Sequence, residues 1–524
     1  MATGRGWILR QHSIGIGYLR PAEPASSSVG QAPSPPEPPQ ANPRSVLVGA
    51  PAWDSAKLKC SPITGMQLSK IKEMHICMRH RKSSMKSNST IGIDSMPSEI
   101  LLKIFSYLDA LSLLCSGCVN KQFYQLSNDN SIWFKIYSKC FPPKRKLWKI
   151  ESVQKPAVPL SLLELGFWKK EYIVKKIAAG KDDIIQLLKP INTYTGLPVK
   201  TKEAIKISGL KWVIILKDKN GKEHVMRHRD IFFNETSVTV FWYSIQWPSL
   251  ASLSSLQLCG VTPVLLGEDD ACFKNGPRRR SLISEYEMAN LTKNWLIGHD
   301  ALVELYRVDH ELLVGLWKKS EIAFVMASLH YHQLIERSTL GSATTRYTAA
   351  PHKVILDDSD PEYGMHSYQL HIDMHSRGNT YMCSTFRSLF CRKDYIRNGY
   401  LRLKVISLKN NSQHLPLVEM AGFSWKTDAL GGSVQNCFIM DVTVLDDSQK
   451  PFWCFSAPVN MELSSKRSTL YEYLGPSYFL KHTDSTGEVY VELVWMEETK
   501  EYYIVNLVLY LSTQKVNSWF GTDY

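Results

Sequence analysis

The chain has 524 residues, a net charge of +13 and 44% hydrophobic residues, enough for two or three domains with packed cores. Charged residues make up 21%, close to the globular average, which excludes a chain that is disordered throughout. The charge is uneven: residues 1–94 hold 12 Lys/Arg against 5 Asp/Glu, so the rest is nearly balanced and argues against a nucleic-acid-binding fold.

Eight of the 23 residues from Pro21 to Pro43 are proline, which predicts an extended, solvated spacer. Its P-x-x-P spacings, such as Pro33 to Pro36, also suit a proline-reading domain. The run HICMRHRKSSMK, from His75 to Lys86, reads as solvated charge, with a nuclear address as the alternative. Arg5, Arg10 and Arg20 interrupt the apolar residues after Met1, so no secretory signal is expected. The eleven cysteines then read as reduced thiols of a cytoplasmic protein, with the nucleus as a second location. Cys115 and Cys118 have C-x-x-C spacing without a second pair, and are expected to be small core residues. The most apolar run, Tyr502 to Leu511, is too short to span a membrane and reads as a buried strand.

Helical patterning runs from Pro97 to about Pro190. Pro97 suits the first position of a helix, and Glu99 complements its positive end. Ile100, Leu101, Ile104, Phe105 and Leu108 form an apolar stripe. Asp109 can cap a second helix carrying Leu111, Leu113 and Leu114. Val119, Phe123 and Leu126 form a third stripe, extended by Trp133, Ile136 and Tyr137. A unit of about 45 residues is too small to bury all of this alone. Leu102 and Leu113 fall off the main stripes, so apolar surface is expected outside, covered by the rest of the chain or by a partner.

The stretch MPSEILLKIFSYLDALSLLCSGCVNKQFYQLSNDNSIW resembles an F-box, the short three-helix module that docks onto the Skp adaptor of cullin-based ubiquitin ligases. The matching positions are Pro97, Glu99, Ile100, Leu101, Ile104, Phe105, Leu108, Leu114, Val119, Phe123 and Trp133. Met96 stands where leucine is usual, Phe123 where tryptophan is common, and Leu111-Ser112 where an Asp-Leu pair is frequent. The resemblance implies that these residues bind the adaptor, the adaptor binds the cullin scaffold, and the C-terminal region holds an unknown protein substrate. It also implies no bond-making chemistry by this chain, and from the residues no cofactor, metal, nucleic acid or membrane is expected.

Beyond Leu210 the texture becomes β-branched and aromatic, with runs at 210–216, 237–243, 312–318, 323–332, 368–375, 400–408, 438–445, 488–496 and 503–511. Asn220-Gly221 predicts a type I′ hairpin, and DDSQKP at 446–451 a second connection. The expected fold class is α+β, in four parts: a disordered basic, Pro-rich region (1–94), an F-box (95–141), a helical linker (142–209) and a large antiparallel β-rich, sandwich- or barrel-like domain (210–524).

Nucleotide-loop, zincin and serine-hydrolase motifs are missing from this region. His330 and His332 share one strand face, as do His371, Asp373 and His375, and either set offers metal ligands. Polar residues on a wet strand face account for them without metal and are the expected reading, which leaves a metal-dependent enzyme or a glycan-binding module as the alternatives to a receptor. DDSDPE, from Asp357 to Glu362, reads as an acidic loop, and GPRRRS, from Gly276 to Ser281, as a loop with a basic tip after EDDACFKN. Trp247-Pro248, Trp425 and Trp519 are aromatic candidates for a recognition surface, with Trp425 and Trp519 expected as its exposed grip.

Overall fold

The computed structural model describes residues 92–142, 163–244, 246–264, 277–288, 295–318, 321–354, 360–417, 421–465 and 473–524. The proline-rich segment, the cluster from His75 to Lys86, the EDDACFKN run and Asp357 to Ser359 lie outside these residues. Among the described residues, no helix is long and apolar enough to cross a membrane.

Four helices open the described chain: α1 (Ser98–Phe105), α2 (Ala110–Ser116), α3 (Lys121–Ser127) and α4 (Asn130–Cys140). Short polar side chains start three of them. Asp109 accepts from the Ser112 N–H, Asn120 from that of Phe123, and Asp129 from those of Ser131 and Ile132. Leu101, Phe105, Leu113, Phe123, Ile132 and Trp133 form a small core with Tyr172 from α5 (Phe167–Leu187). Leu113, expected on the outside, is therefore a core residue; α3 packs against both α1 and α2 and covers it. Cys115 and Cys118, expected inside, are exposed.

At 21 residues, α5 is about 30 Å long and serves as a strut. Its first turn is tied to α4 by Asn130, which donates to the Glu164 carbonyl at 3.0 Å and accepts from the Trp168 N–H at 3.3 Å. Its last turn places Ile184 and Leu187 against the core of the β-rich part, where α6 (Thr201–Ile207) also packs. The helical stretch between the two parts thus belongs to both cores.

The first ten strands are β1 (Lys211–Asp218), β2 (Glu223–Arg227), β3 (Asp230–Phe233), β4 (Ser237–Tyr243), β5 (Leu253–Pro263), β6 (Arg278–Glu287), β7 (Trp295–His299), β8 (Val303–Arg307), β9 (Leu312–Trp317) and β10 (Ile322–His330). They form two antiparallel sheets, ordered β2-β1-β5-β6 and β3-β4-β10-β9-β8-β7. Trp212, Ile214, Val240, Trp242, Leu256, Val325 and Leu329 fill the space between them, closed at one side by α7 (Leu334–Thr339). Arg278, Arg279 and Arg280, expected in a loop, open the strand β6, where they pair with Pro263, Thr262 and Val261.

The remaining strands are β11 (Tyr368–Ser376), β12 (Asn379–Leu389), β13 (Tyr400–Ile406), β14 (Leu415–Leu417), β15 (Gly422–Lys426), β16 (Gly431–Gln435), β17 (Cys437–Leu445), β18 (Pro451–Asn460), β19 (Glu462–Leu463), β20 (Ser477–Thr483), β21 (Gly487–Met496) and β22 (Glu501–Ser512). They give a third sheet, β12-β11-β17-β18, and a fourth, β13-β22-β21-β20-β19, with β14 also on β22 and β15-β16 as a separate hairpin. Leu370, Ile372, Met440, Val442, Val491 and Leu507 lie in the core between these sheets, which α8 (Thr513–Phe520) closes with Val516 and Phe520.

The β-rich region is therefore two sandwiches stacked face to face. Phe241, Phe324 and Met326 from the second sheet share a further core with Phe423, Trp425 and Ile439. For that reason β10, β11 and β17 are buried along their whole length, on both faces. The first hairpin differs in detail from the expected type I′ turn. Among its loop residues only Gly221 has positive φ (79°), and the Asp218 N–H donates to the Lys222 carbonyl across a three-residue loop. The β17–β18 connection repeats this geometry, with Gln449 at φ 60° and the Asp446 N–H donating to Lys450.

Two glycines give opposite expectations. A methyl group on Gly260 of β5 would lie 2.2 Å from the main-chain oxygen of Ser338 in α7, whereas one on Gly180 of α5 meets nothing within 4 Å. Gly260→Ala is expected to lower unfolding free energy by about 1–3 kcal/mol, through overpacking. Gly180→Ala is expected to raise it by up to about 1 kcal/mol, through helix propensity. Urea denaturation of the two variants checks both signs; a neutral Gly260→Ala would show that α7 is free to move off the sheet.

Candidate functional site

The stripe on α1 resolves into two. Leu101 and Phe105, four residues apart, point into the module, where Phe105 meets Phe123 edge-on at 5.2 Å and Trp133 donates to the Ser127 carbonyl at 2.7 Å. Ile100 and Ile104, also four apart but one position earlier, face outward and are 52% and 40% exposed. Val119, in the turn after α2, is 65% exposed. Pro97 and Glu99 are exposed, and Leu108 and Leu114 are half-buried. Of the eleven candidate adaptor-binding residues, Leu101, Phe105, Phe123 and Trp133 thus build the core that holds the others in place. Tyr107 and Tyr124 are exposed aromatics of the same module that the apolar pattern did not single out.

A second feature lies between the second and third sheets. The face of β11 turned away from the core between the third and fourth sheets carries Gln369, His371, Asp373 and His375, all buried. The expectation of a wet strand face is corrected here: β4 and β10 present Ser237, Thr239, Ser328 and His330 to this interface, and they too are buried. Asp441 of β17 stands opposite Asp373 in the ladder. It pairs with a ring nitrogen of His375 at 3.0 Å and accepts from the Thr236 hydroxyl at 3.2 Å and from the Ser456 hydroxyl. His330 meets the Thr443 hydroxyl at 2.9 Å and His371 that of Thr385 at 2.8 Å.

Charge in this layer follows from burial and pairing. Burial pushes the His330 imidazole down to about 3 and that of His371 down to about 4, so both are neutral. Burial works the same way on His375, but the Asp441 carboxylate outweighs it and raises this imidazole above its ordinary value. Burial alone would raise Asp441; the charge and hydrogen bond of His375 outweigh it and hold the carboxyl below the usual range. Asp373 is raised to about 7, by burial first, against the lowering effect of His375. Among the described residues, His330, His332, His371 and His375 do not gather into one metal-ligand set; the set that does gather is Asp373, His375 and Asp441.

The aromatic candidates separate. Trp425, expected as an exposed grip, is 2% exposed; it donates to Asp300 at 2.6 Å and stacks on Phe324. The covering β15-β16 hairpin packs it against the second sheet, so it is a core residue. Trp519 is half-buried, donating to Asp446 at 2.9 Å with its ring stacked on His352 at 3.7 Å. Trp247 and Pro248, by contrast, line a cleft of about 480 Å³ with Trp317, Glu321 and Asp428. Trp317 was legible only as part of a strand.

Comparison with known proteins fits this arrangement. A family model described as F-box-like matches residues 93–139, which span α1 to α4. F-box only protein 15 of Homo sapiens is 51% identical, with 100% of both chains covered. F-box only protein 15 of Macaca fascicularis is 56% identical, covering 82% of this chain and 100% of the relative. The protein of the same name from Mus musculus is 45% identical, over 81% of this chain and 100% of its own. The likeness to these relatives extends well beyond the four-helix module, through the strut and the stacked sandwiches, and on it the chain belongs to the F-box only protein 15 family of F-box proteins.

Proposed function

We propose that this chain is the substrate-recognition subunit of a Skp–cullin–F-box ubiquitin ligase. The observation that carries this is the split of α1. A module with its own small core displays Ile100, Ile104 and Val119 to solvent, an apolar surface that a partner would cover. The Skp adaptor is that partner, and the cullin scaffold is reached through it. The stacked sandwiches hold the substrate, at a set distance from the adaptor because α5 is packed into the cores at both of its ends. We place the substrate contact at the cleft lined by Trp247 and Trp317, since aromatic side chains supply large contact areas at little entropic cost.

The test is reconstitution of the full chain with adaptor, cullin and the conjugating enzymes. A stoichiometric adaptor complex is expected, with ubiquitin transferred to proteins that the chain binds. Trp247→Ala is expected to lower that transfer at least tenfold while adaptor retention stays unchanged. Failure to retain the adaptor would reject the receptor role, whereas full transfer by Trp247→Ala would move the substrate contact elsewhere.

A further inference from the structure

The layer between the two sandwiches holds three ligand-type side chains for which adaptor docking has no use. Asp373 and His375 stand two residues apart on β11, and Asp441 faces Asp373 from β17. A carboxylate oxygen of each aspartate and a ring nitrogen of His375 all lie within 4.8 Å of one another. Asp373 and His375 are each 1% exposed and Asp441 is fully buried.

Two facing carboxylates with one imidazole leave an excess negative charge when all are ionised, and burying unbalanced charge is costly. The hydrogen bonds in the layer do not resolve this. Asp441 is well supplied, by His375, Thr236 and Ser456, but Asp373 Oδ1 and His375 Nδ1 are buried without any partner. A buried acceptor left unmatched, beside an oriented second carboxylate and a ring nitrogen of His375, makes a donor set of two oxygens and one nitrogen. A divalent cation would balance the charge and give Asp373 Oδ1 the partner it lacks.

The donor types narrow the ion. Calcium takes six to eight oxygens and magnesium keeps several waters, neither of which suits a buried seam with an imidazole. Zinc accepts carboxylate oxygen and imidazole nitrogen in a compact, low-coordinate site. We propose that Asp373, His375 and Asp441 bind a divalent first-row cation of the zinc type, which pins the two sandwiches together. Thr236 and Ser456, bonded to Asp441, orient its carboxylate as outer-shell groups do around metal ligands. Thr236 precedes β4 in the first sandwich and Ser456 lies on β18 in the second, so the site ties both halves. The role is structural and stands independently of the receptor reading. It differs from a site made by His330, His332, His371 and His375, because only His375 of these takes part.

The test uses the full chain, expressed with zinc in the medium, desalted and analysed for bound metal by plasma mass spectrometry. Close to one zinc per chain is expected. Asp373→Asn, which keeps the shape and removes the charge, is expected to hold at least tenfold less. Cys115→Ser with Cys118→Ser, at the exposed C-x-x-C pair, is expected to hold as much as the unmodified chain. A second measurement needs no variant: chelator-treated chain should gain several degrees in thermal midpoint on adding zinc chloride. Absence of zinc together with no such gain would overturn the site. So would zinc that persists in Asp373→Asn and disappears with the cysteine pair.

Discussion

Ile100→Ala combined with Ile104→Ala is expected to weaken binding of the Skp adaptor by about 100-fold or more, while leaving the stability of the chain nearly unchanged. Both side chains are about half exposed and face away from the module's core in the free chain, so trimming them leaves no closed cavity. Surface changes of that kind usually stay within about 0.5 kcal/mol. In the complex, however, each would be buried, and full burial of such a side chain is worth about 1.5–3 kcal/mol. Two at the lower figure make about 3 kcal/mol, or about two factors of ten in affinity. Leu101→Ala sits beside them in the chain and should behave in the opposite way. It removes a fully buried side chain from the small core with Trp133 and Tyr172, at a cost of about 2–5 kcal/mol. Calorimetric titration with the adaptor and thermal unfolding, done on both variants, separate the outward pair from the inward one. Unaltered affinity in the double variant would show that this face is not the docking surface.

Acidification is expected to destabilise the stacked sandwiches steeply between about pH 6 and pH 4. Burial lowers His330 and His482 to about 3 and His371 to about 4, whereas an unfolded histidine titrates near 6.5. Their stabilising effect is complete above about 6.5 and is lost as pH falls, because only the unfolded chain can take up those protons. In the metal-free chain Asp373 opposes them, since its folded carboxyl, raised to about 7, already holds a proton that an unfolded aspartate near 3.9 does not. Near pH 5, His375 is protonated in both states, and Asp441 adds its loss only below about 3.9. Three protons against one leave a net uptake of about two on unfolding, which is on the order of 3 kcal/mol per pH unit. His332, lowered to about 4 by burial, steepens the slope further. Against the ~5–15 kcal/mol typical of a folded domain, that is enough to unfold the chain by about pH 4.

One substitution isolates the cause. His482 stacks on Phe455 at 4.0 Å, and neither of its ring nitrogens has a hydrogen-bond partner. His482→Phe keeps the ring, loses no polar contact and removes one of the protons. It should flatten the slope by about 1.4 kcal/mol per pH unit. Urea titrations at a series of pH values from about 4.5 to about 7.5 measure this directly. Parallel slopes for the two proteins would mean that acid acts on some other group.

The sequence by itself determined the elements and the family. Caps at Asp109 and the stripe from Ile100 to Phe105 marked the module, because helix starts and amphipathic spacing are local properties of a few neighbouring residues. All nine quoted runs of the tail are strands for the same reason: β-branched and aromatic residues in alternation suit a pleated, half-buried surface wherever it lies. What alternation cannot say is what each face meets. Leu370, Ile372 and Met374 declared one apolar face of β11, and the polar His371, Asp373 and His375 on the other read as wet although they are buried. The tertiary structure decided it, by bringing Thr236 and Ser237, more than 130 residues earlier in the chain, against Asp441 and His375. The same holds for Leu101 against Ile104, and for Trp425 against Trp247. Each pair is alike in residue type, and only packing by distant segments made one member core and left the other at the surface or in a cleft.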